Sequence, residues 1–446
     1  MGYIVYFNVV KSKDIINSPY NTRQDSFADR VIRGKILDNK GSVLAETSVA
    51  EDGTETRSYP YDELYAHVVG YAEKGKSGLE STTNFNLLTS NAFFLERMMK
   101  EFKGQKNIGD NVVTTLDTNL QQAASDALGD NRGAVVVLEA STGKILSMVS
   151  KPTFNPNGIS ENWEELNSSD SSVLLNRVTQ GAYPPGSTFK IVTTLDFIRE
   201  YGSTYQDYTY QCNGETSVDG TTIHCYHNEA HGDEDLRSSF ANSCNASFVT
   251  LGLQLHIDKF QETASDLLFN SKLPSVLPYK QSKFNLNKDS NSASVMMTAM
   301  GQGETLMSPY HMALITASIA NGGTLMKPYL VDQITNYTGT IVKKNMPEKY
   351  GELMSAAEAA QLTEYMKAVV SEGTAQALNG QDYTVAGKTG TAEYSADKEK
   401  THSWFVGFTN VDNPELVISV ILEESDASGM RAVSVAKKVF NAYYYN

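Results

Sequence analysis

Ser187 and Lys190 form a Ser-x-x-Lys pair that could supply a nucleophile and its base. Two prolines and a glycine precede Ser187 and an apolar run begins at Phe189, a pattern that predicts the start of a helix. On a helix the two side chains share one face. The N–H of Ser187 would be among the unpaired donors of the first turn, where it could bind a developing oxyanion. Lys190 could accept the hydroxyl proton only as a neutral amine, because an ordinary lysine pKa is about 10.4.

Two further polar groups could complete an acyl-transfer site around this pair. Ser243-Cys244-Asn245 offers a hydroxyl for proton relay and an amide for orienting a lysine or a substrate carbonyl. Because residues two apart do not share a helix face, we expect this group in a loop or an irregular turn. Lys388-Thr389-Gly390-Thr391 offers a cation and hydroxyls that suit a terminal carboxylate, and the N–H of Thr391 could be a second oxyanion donor. Burial, together with Lys388 as a nearby cation, would lower the pKa of Lys190.

None of these groups is specific by itself. The spacing Ser-x-x-Lys also occurs at Ser141, Ser395 and Ser434, where we interpret it as incidental. An isolated pair of this kind is usually a helix cap beside a solvated lysine. The inference of an acyl-transfer site rests on the order and separation of the three groups. It holds only if the groups lie close together in the folded protein.

The elements around these residues predict an α/β (α+β) fold built on a five-stranded antiparallel sheet flanked by helices. Two early strands are expected at residues 134–138 and 144–150, joined as a hairpin, and three late strands at 383–386, 403–408 and 415–422. Asp117 is expected to cap a helix that continues to Leu128, and a helical pattern runs from Met430 to about Tyr443. The segment between the two groups of strands predicts an all-helical insertion. The three motifs could then meet at one edge of the sheet.

A polar, glycine-containing stretch at residues 103–110 predicts a domain boundary. It separates an N-terminal domain, residues 1–110, from a C-terminal domain, residues 111–446, that holds all three motifs. The N-terminal domain mixes short strand-like runs with turns, and a helical run is expected near residues 91–103. A chain of 446 residues is also longer than one ordinary domain.

The net charge of −15 argues against binding nucleic acid or an anionic membrane by general attraction. Residues 1–10 are apolar but stop at Lys11, well short of the about 20 residues that span a bilayer. They also lack the charged start and the cleavage site of a signal peptide. We interpret this segment as the remnant of a membrane-spanning helix, with a buried strand as the alternative.

The cysteines leave several alternatives open. Cys212 and Cys225 lie in one turn-rich stretch and would suit a disulfide if the protein works outside the cytoplasm. The same stretch holds His224, His227 and His231, so a metal site is a second alternative, although the spacing follows no standard zinc pattern. Free thiols are the third.

In order and spacing the three groups resemble the motifs of class B penicillin-binding proteins, which are monofunctional D,D-transpeptidases of peptidoglycan. The resemblance covers nearly the whole chain and includes residues 33–38, 78–80, 301–303 and 404–408. The run Asn17-Ser-Pro-Tyr-Asn-x-Arg23 is similar to the penicillin-binding protein A-type subgroup of Gram-positive bacteria. The resemblance implies the fold shared with serine β-lactamases, with residues 1–110 as a smaller pedestal or dimerisation-like domain.

The resemblance also implies a role for each residue of the site. Ser187 would be acylated with Lys190 as its base, and Ser243 and Asn245 would complete the proton relay. The N–H groups of Ser187 and Thr391 would form the oxyanion hole. The residues implied to bind the substrate carboxylate are Lys388, Thr389, Gly390 and Thr391. Lys388 is also implied to be catalytic.

The implied substrate is a stem peptide ending in D-Ala-D-Ala, which is cross-linked to a neighbouring amine with release of D-Ala, and β-lactams would acylate the same serine. No metal or organic cofactor is implied for this reaction. The implied setting is the extracytoplasmic face of the bacterial cell membrane, with an N-terminal anchor that is absent or truncated here and a polytopic SEDS-type glycosyltransferase as partner. The alternatives are a D,D-carboxypeptidase or β-lactamase-like hydrolase, or a catalytically silent sensor or scaffold that binds β-lactams.

Overall fold

The computed structural model describes residues 28–393, 400–425 and 429–445, so the predicted anchor remnant and the run at residues 17–23 lie outside the described residues. Strands occur along the whole described chain and pair into separate sheets. In chain order they are β1 (Val31–Ile32), β2 (Ile36–Leu37), β3 (Val43–Val49), β4 (Glu55–Ser58), β5 (Asn107–Ile108), β6 (Asn111–Thr114), β7 (Gly133–Glu139), β8 (Ile145–Lys151), β9 (Thr209–Cys212), β10 (Glu215–Val218), β11 (Thr221–His224), β12 (Gly232–Asp235), β13 (Thr324–Met326), β14 (Val331–Thr335), β15 (Ile341–Lys344), β16 (Lys349–Glu352), β17 (Val385–Glu393), β18 (Thr401–Thr409) and β19 (Leu416–Leu422).

Most helices lie between β8 and β17. In chain order the helices are α1 (Gly78–Thr82), α2 (Asn84–Leu87), α3 (Phe94–Phe102), α4 (Thr118–Leu128), α5 (Trp163–Ser168), α6 (Lys190–Tyr201), α7 (Leu236–Ala241), α8 (Asn245–Gly252), α9 (Ile257–Asp266), α10 (Ser292–Ala299), α11 (Pro309–Ala320), α12 (Ala356–Ser371) and α13 (Ala432–Tyr444). Several begin at a capping side chain: Asp117 caps α4, and Ser308 caps α11 with a proline at the next position. None of these described helices has the combination of length and apolarity that crossing a bilayer requires.

The central sheet is antiparallel throughout and has the strand order β17-β18-β19-β7-β8. Strands β7 and β19 are rich in valine, leucine and isoleucine and are buried almost along their whole length. They can be apolar throughout because α11 packs against both, while α4 and α13 pack against each other and against β8 and β19. Strand β17, which carries the Lys388 run, remains an edge strand. This free edge is the place where the early and late parts of the chain can share a site.

All five predicted strands of this sheet are confirmed, with shifted ends. Strand β17 starts at Val385 rather than at residue 383 and continues through the Lys388 run to Glu393. The helix capped by Asp117 ends at Leu128 as predicted. The prediction of an all-helical insertion was wrong in one respect, because the segment between β8 and β17 also contains the short strands β9 to β16. Its polar, turn-rich stretches pair as two-stranded ribbons, for which the sequence shows no apolar alternation.

A six-stranded sheet joins the N-terminal residues to a later part of the chain. Its order is β15-β14-β6-β2-β3-β4. Strand β6 pairs in parallel with β2 and antiparallel with β14. The predicted domain boundary between residues 110 and 111 falls at the start of β6. Two strands from residues 331–344 therefore complete a sheet that residues 36–58 begin.

Glu80 is a buried carboxylate that holds two arginines in the N-terminal part. Its oxygens lie 2.6 Å from Nε of Arg33 and 2.7 Å from Nε of Arg57, and its side chain is inaccessible to solvent. Arg57 also donates to the carbonyl oxygen of Gly34 across 2.7 Å. The three charged residues come from the end of β1, from β4 and from α1. The cluster thus ties three segments together.

Replacing Glu80 by glutamine should destabilise the protein strongly. The variant leaves two buried guanidinium groups without a counter-charge, and breaking a buried pair in this way costs on the order of 3–5 kcal/mol. The free energy of unfolding in urea measures the loss. Glu46→Gln is the matched control, because Glu46 pairs with Lys35 on the surface and its loss should stay below about 1 kcal/mol. Equal losses in the two variants would contradict the structural role of Glu80.

Candidate active site

Ser243 Oγ lies between two lysines that come from distant parts of the chain. Lys388 Nζ donates to this oxygen across 2.9 Å, and Lys190 Nζ donates to it across 3.3 Å. Lys190 Nζ also donates to Oδ1 of Asn245 across 2.8 Å and to the carbonyl oxygen of Ser243 across 2.7 Å. The structure therefore brings the three predicted motifs together at the free edge of β17.

Two glycines hold the turn that carries Ser187 against this edge. The 3₁₀ turn, Gly186–Phe189, runs directly into α6. Gly186 has a φ of +53° and donates its N–H to the carbonyl oxygen of Gly301 across 2.8 Å. A Cβ on Gly186 would lie 2.5 Å from the carbonyl oxygen of Thr391, and one on Gly301, whose φ is +84°, would lie 1.8 Å from the carbonyl oxygen of Gly186. Only glycine fits at both positions.

Ser243 lies in an irregular turn, as predicted. Helix α7 ends before it, and α8 begins at Asn245. Ser243 has a φ of +57°, a left-handed conformation that costs a residue with a side chain on the order of 1 kcal/mol. Cys244 is the N-cap of α8, and its Sγ accepts the N–H of Ser247. The turn places a hydroxyl, a carbonyl and an amide around Lys190 Nζ.

Strand β17 directs Lys388 inward and leaves two threonines partly open. Lys388 is fully buried, whereas Thr389 and Thr391 are half-buried. The N–H and C=O of one residue point to the same side of an antiparallel strand. Because the carbonyl oxygen of Thr391 faces the 3₁₀ turn, its N–H faces that turn as well. Gly390 is buried against the same turn, and a Cβ there would lie 3.0 Å from Cγ2 of Thr188.

Burial lowers the pKa of both lysines, whose side chains have no exposed surface. The pKa of Lys190 falls to about 8 because burial disfavours the charged form, while Cys244 and Cys225 act weakly in the opposite direction. The pKa of Lys388 is lowered well below its ordinary value, first by burial and then by the charge of Lys190. The predicted lowering for Lys190 is therefore found, and burial, one of its two predicted causes, produces it, whereas the charge of Lys388 does not contribute.

Ser187 is half-buried in the 3₁₀ turn that runs directly into Lys190. Within the part of the chain that the structure describes, no hydrogen bond joins Ser187 Oγ to Lys190 Nζ, whose hydrogens point to Ser243 and Asn245. Three acceptors around one nitrogen suit a charged ammonium. Lys190 must therefore lose a proton and turn its lone pair before it can act on Ser187.

Two contacts at the site were not expected from the sequence. Oγ1 of Thr374 hydrogen-bonds to Oγ1 of Thr389, which extends the row of hydroxyls along β17. The side-chain amide of Gln302, oriented so that its oxygen accepts and its nitrogen donates, pairs with the backbone of Glu393 at 3.1 and 3.2 Å. The resemblance at residues 301–303 was a signal for Gln302. Thr374 follows a glycine just after α12. This local pattern indicates only the end of a helix, so no signal in the sequence pointed to Thr374.

The cysteines do not form the disulfide that the sequence allowed. The Sγ atoms of Cys212 and Cys225 are 3.7 Å apart, far beyond the about 2.05 Å of an S–S bond. Cys225 Sγ also lies 3.7 Å from Cys244 Sγ, and Nδ1 of His231 lies 3.4 Å from Cys212 Sγ. The thiols are unlinked, and Cys244 joins the group unexpectedly.

Comparison with known families accounts for both parts of the chain. Residues 133–444 match the penicillin binding protein transpeptidase domain, and residues 33–112 match the penicillin binding protein A dimerisation domain. The chain belongs to the penicillin-binding protein transpeptidase family. This penicillin-binding protein is 33% identical over 415 residues to the peptidoglycan D,D-transpeptidase PbpA of Mycolicibacterium smegmatis, an alignment that covers 88% of this chain and 84% of the relative.

Solved structures of penicillin-binding proteins share the fold. The imipenem acyl-enzyme complex of penicillin-binding protein A from M. tuberculosis matches with a TM-score of 0.83 at 30% identity, covering 93% of this chain and 99% of that chain. The D,D-transpeptidase domain of a peptidoglycan glycosyltransferase from Eggerthella lenta also matches with a TM-score of 0.83 at 30% identity, covering 93% and 98%. The family and the fold implied by the sequence motifs are thus confirmed.

Gly301→Ala is expected to displace the turn that carries Ser187. The new Cβ would clash with the carbonyl oxygen of Gly186 in addition to the strain of a positive φ, so the loss should exceed the about 1–3 kcal/mol of strain alone. Thermal unfolding and the rate of labelling by a fluorescent penicillin measure the effect. Gly303→Ala is the control, because its φ is +74° but the nearest atom, Cβ of Met297, is 3.4 Å away. If both variants lose the same stability and rate, the contact with the turn has no special role.

Proposed function

We propose that this penicillin-binding protein is a peptidoglycan D,D-transpeptidase. Its serine takes the acyl group of a stem peptide ending in D-Ala-D-Ala, the terminal D-Ala leaves, and an amine of a neighbouring peptide then receives the acyl group. A β-lactam acylates the same serine and blocks the site. The supporting observation is that Ser243 Oγ lies within hydrogen-bonding distance of both Lys190 and Lys388, beside the turn of Ser187. The names of the matching relatives support the same activity.

Ser187 is the proposed nucleophile, and Lys190 is its proposed general base. A pKa of about 8 leaves on the order of a tenth of the Lys190 side chains neutral at pH 7. The neutral amine takes the proton of Ser187 Oγ while this oxygen bonds to the carbonyl carbon of the penultimate D-Ala. Burial thus makes the neutral, basic form of Lys190 available near neutral pH. The helical segment holds Lys190 one turn after the hydroxyl of Ser187.

The N–H groups of Ser187 and Thr391 are the proposed oxyanion hole. Ser187 belongs to the first turn of a helical segment, where backbone donors lack helical partners. The backbone of Thr391 faces the same turn from the edge of β17. Donors aimed at a developing oxyanion each contribute about 3–4 kcal/mol of transition-state stabilisation.

Thr389 and Thr391, with Lys388 behind them, are proposed to bind the terminal carboxylate. Their half-buried hydroxyls are the direct contacts, because Lys388 Nζ points inward to Ser243 and to the carbonyl oxygen of Thr389. Thr374 orients the hydroxyl of Thr389. Arrival of a carboxylate would favour the protonated form of Lys388, since an opposite charge raises a lysine pKa. Gly390 lets this strand lie close to the turn of the nucleophile.

Ser243 and Asn245 are proposed to return the proton to the leaving D-Ala amine. Ser243 Oγ contacts both lysines, so a proton taken up by Lys190 can reach it through one hydrogen bond. Asn245 accepts from Lys190 through Oδ1 and donates from Nδ2 to the carbonyl oxygen of His224 across 3.0 Å. The acceptor amine would lose its proton to the same groups in reverse when it attacks the acyl-enzyme.

The setting of the protein is proposed from its N-terminal part. We propose that residues 1–110 form a pedestal or dimerisation-like domain, that residues 111–446 form the transpeptidase domain, and that the protein works at the extracytoplasmic face of the membrane with a polytopic SEDS-type glycosyltransferase. The dimerisation-domain match ends at residue 112 and the transpeptidase-domain match begins at residue 133, which supports this division.

An exposed apolar face on α3 supports the proposal that this part of the protein contacts an apolar neighbour. Its residues, each at least half exposed, are Phe94, Leu95, Met98, Met99 and Phe102.

A fluorescent penicillin should label the protein stably through Ser187. Labelling should disappear in Ser187→Ala, because Thr188, the other hydroxyl residue of this turn, is fully buried and donates to the carbonyl oxygen of Pro185 across 2.7 Å. Gel fluorescence after a chase with unlabelled penicillin measures both attachment and persistence. Ser141→Ala is the matched control, since Ser141 has the same Ser-x-x-Lys spacing but lies in the exposed β7–β8 turn, and it should label normally. Label released within seconds would favour a β-lactamase-like hydrolase, and label retained in Ser187→Ala would refute the nucleophile.

Acylation by penicillin should accelerate as the pH rises. Lys190 acts in its neutral form and has a pKa of about 8. The second-order rate constant should therefore increase about tenfold per pH unit below this value and level off above it. Stopped-flow measurements between about pH 6 and 9.5 test the profile. Lys190→Ala should abolish the rise and slow acylation by about 10²-fold or more, whereas a flat profile for the unmodified protein would contradict the role of Lys190.

A further inference from the structure

Three cysteines and one histidine form a compact cluster beside the Ser243 turn. The Sγ atoms of Cys212, Cys225 and Cys244 and one ring nitrogen of His231 all lie within 4.8 Å of one another. The three cysteines are buried, and His231 is half-buried. The four ligands come from the end of β9, the residue after β11, the residue before β12 and the N-cap of α8. We propose that this cluster binds one structural Zn²⁺ ion that fixes the Ser243 turn.

Three of the six distances between the ligand atoms match a tetrahedral zinc site, and the other three are at most 4.8 Å. With Zn–S bonds of about 2.3 Å and a Zn–N bond of about 2.0–2.1 Å, tetrahedral geometry places two sulfurs about 3.8 Å apart and a sulfur and a nitrogen about 3.5 Å apart. The structure has 3.7 Å for Cys212–Cys225, 3.7 Å for Cys225–Cys244 and 3.4 Å for Cys212–His231. A disulfide would require an S–S distance of about 2.05 Å, so these sulfurs are spaced for a shared ion instead.

Backbone hydrogen bonds prepare the sulfurs for a cation. Each sulfur accepts one N–H, at 3.4 to 3.5 Å, and the pairs are Gly214 to Cys212, Ala246 to Cys225 and Ser247 to Cys244. Donors of this kind orient metal ligands and stabilise thiolates. Buried thiolates require a compensating charge, which a divalent cation supplies. Sulfur and imidazole ligands in a tetrahedral arrangement select zinc over magnesium or calcium.

Two neighbouring histidines lie outside the cluster, which corrects the grouping expected from the sequence. Nδ1 of His224 lies 3.1 Å from Oε2 of Glu215 at the surface. The ring of His227 packs against the ring of Tyr226. Both residues belong to the same ribbon-rich segment as the ligands. They are therefore matched controls for the loss of His231.

The ion would act on the acyl transfer only by positioning. Cys244 stands between Ser243 and Asn245, so ligation of its sulfur fixes both ends of the strained turn that contacts Lys190. The amide of Asn245 is tied to the carbonyl oxygen of His224, one residue before the ligand Cys225. No reacting atom needs to touch the ion. This consequence, unlike the metal site itself, rests on the proposed function of the Ser187 site.

Elemental analysis of the purified full chain tests the site directly. After dialysis against metal-free buffer we expect about one zinc per chain, and Co²⁺ in its place should show the charge-transfer absorption of thiolate ligands. Competition with a chromogenic chelator should show an affinity reduced about 100-fold or more in Cys212→Ser and in His231→Ala. His224→Ala and His227→Ala should retain the zinc content and affinity of the unmodified chain. Because the first measurement uses the unmodified protein, a folding defect in a variant cannot hide the answer.

Three results would overturn the metal site. The first is that the chain neither contains zinc nor takes it up in competition with the chelator. The second is an intact mass lower by two hydrogens, which would reveal a disulfide. The third is full zinc affinity in Cys212→Ser. The positioning effect has a separate test, because chelation of zinc should slow penicillin labelling by about tenfold or more and added Zn²⁺ should restore it. Unchanged labelling after zinc loss would refute positioning. A zinc-loaded chain that never labels would instead count against the proposed function.

Discussion

Two lysine side chains without solvent access share one serine hydroxyl, and the site is arranged around this constraint. Each ammonium nitrogen is within hydrogen-bonding distance of Ser243 Oγ, so the nitrogens of Lys190 and Lys388 are no more than about 6 Å apart. Two positive charges at that separation repel by roughly 3 kcal/mol at an effective dielectric constant of 20. Burial disfavours each charge further. The pair therefore disfavours carrying two positive charges at once, and a pKa of about 8 brings Lys190 near neutral pH, where it can transfer a proton.

Such a pair needs a rigid frame, because any opening would admit water and restore ordinary pKa values. The frame consists of the edge of β17, the 3₁₀ turn before α6 and the irregular turn between α7 and α8. Gly186 and Gly301 bring the backbone of the first turn into direct contact with β17 and with the loop before α11. The left-handed conformation of Ser243 stores strain that neighbouring contacts must offset. The cysteine cluster lies at this point of strain, because Cys244 stands between Ser243 and Asn245, but none of its thiols belongs to the proposed reacting groups.

Elements whose residues are strongly buried were predicted from the sequence, whereas elements with little buried apolar surface were missed. The strands of the central sheet were visible as apolar runs because both faces of β7 and β19 are covered. Strands β9 to β12 were missed because their polar residues pair in two-stranded ribbons with little apolar surface. The motif residues at 187, 190, 243, 245 and 388–391 were predicted correctly as neighbours, since their types and order are specific jointly. Thr374 was missed, because one threonine after a glycine has no local pattern that distinguishes it from a helix end.

The sequence by itself determined the chemistry that is available and the approximate elements that carry it. Residue types and their spacing along the chain are local properties, and helix caps, strand patterns and motif order depend on little else. Only the tertiary structure decided which groups interact across long separations in the chain. It showed that burial alone, of the two causes expected from the sequence, lowers the pKa of Lys190, and that Cys244 belongs to a cluster with Cys212, Cys225 and His231. These facts depend on distances of a few ångströms between segments far apart in sequence, and such distances arise only when the packed chain excludes water and closes around them.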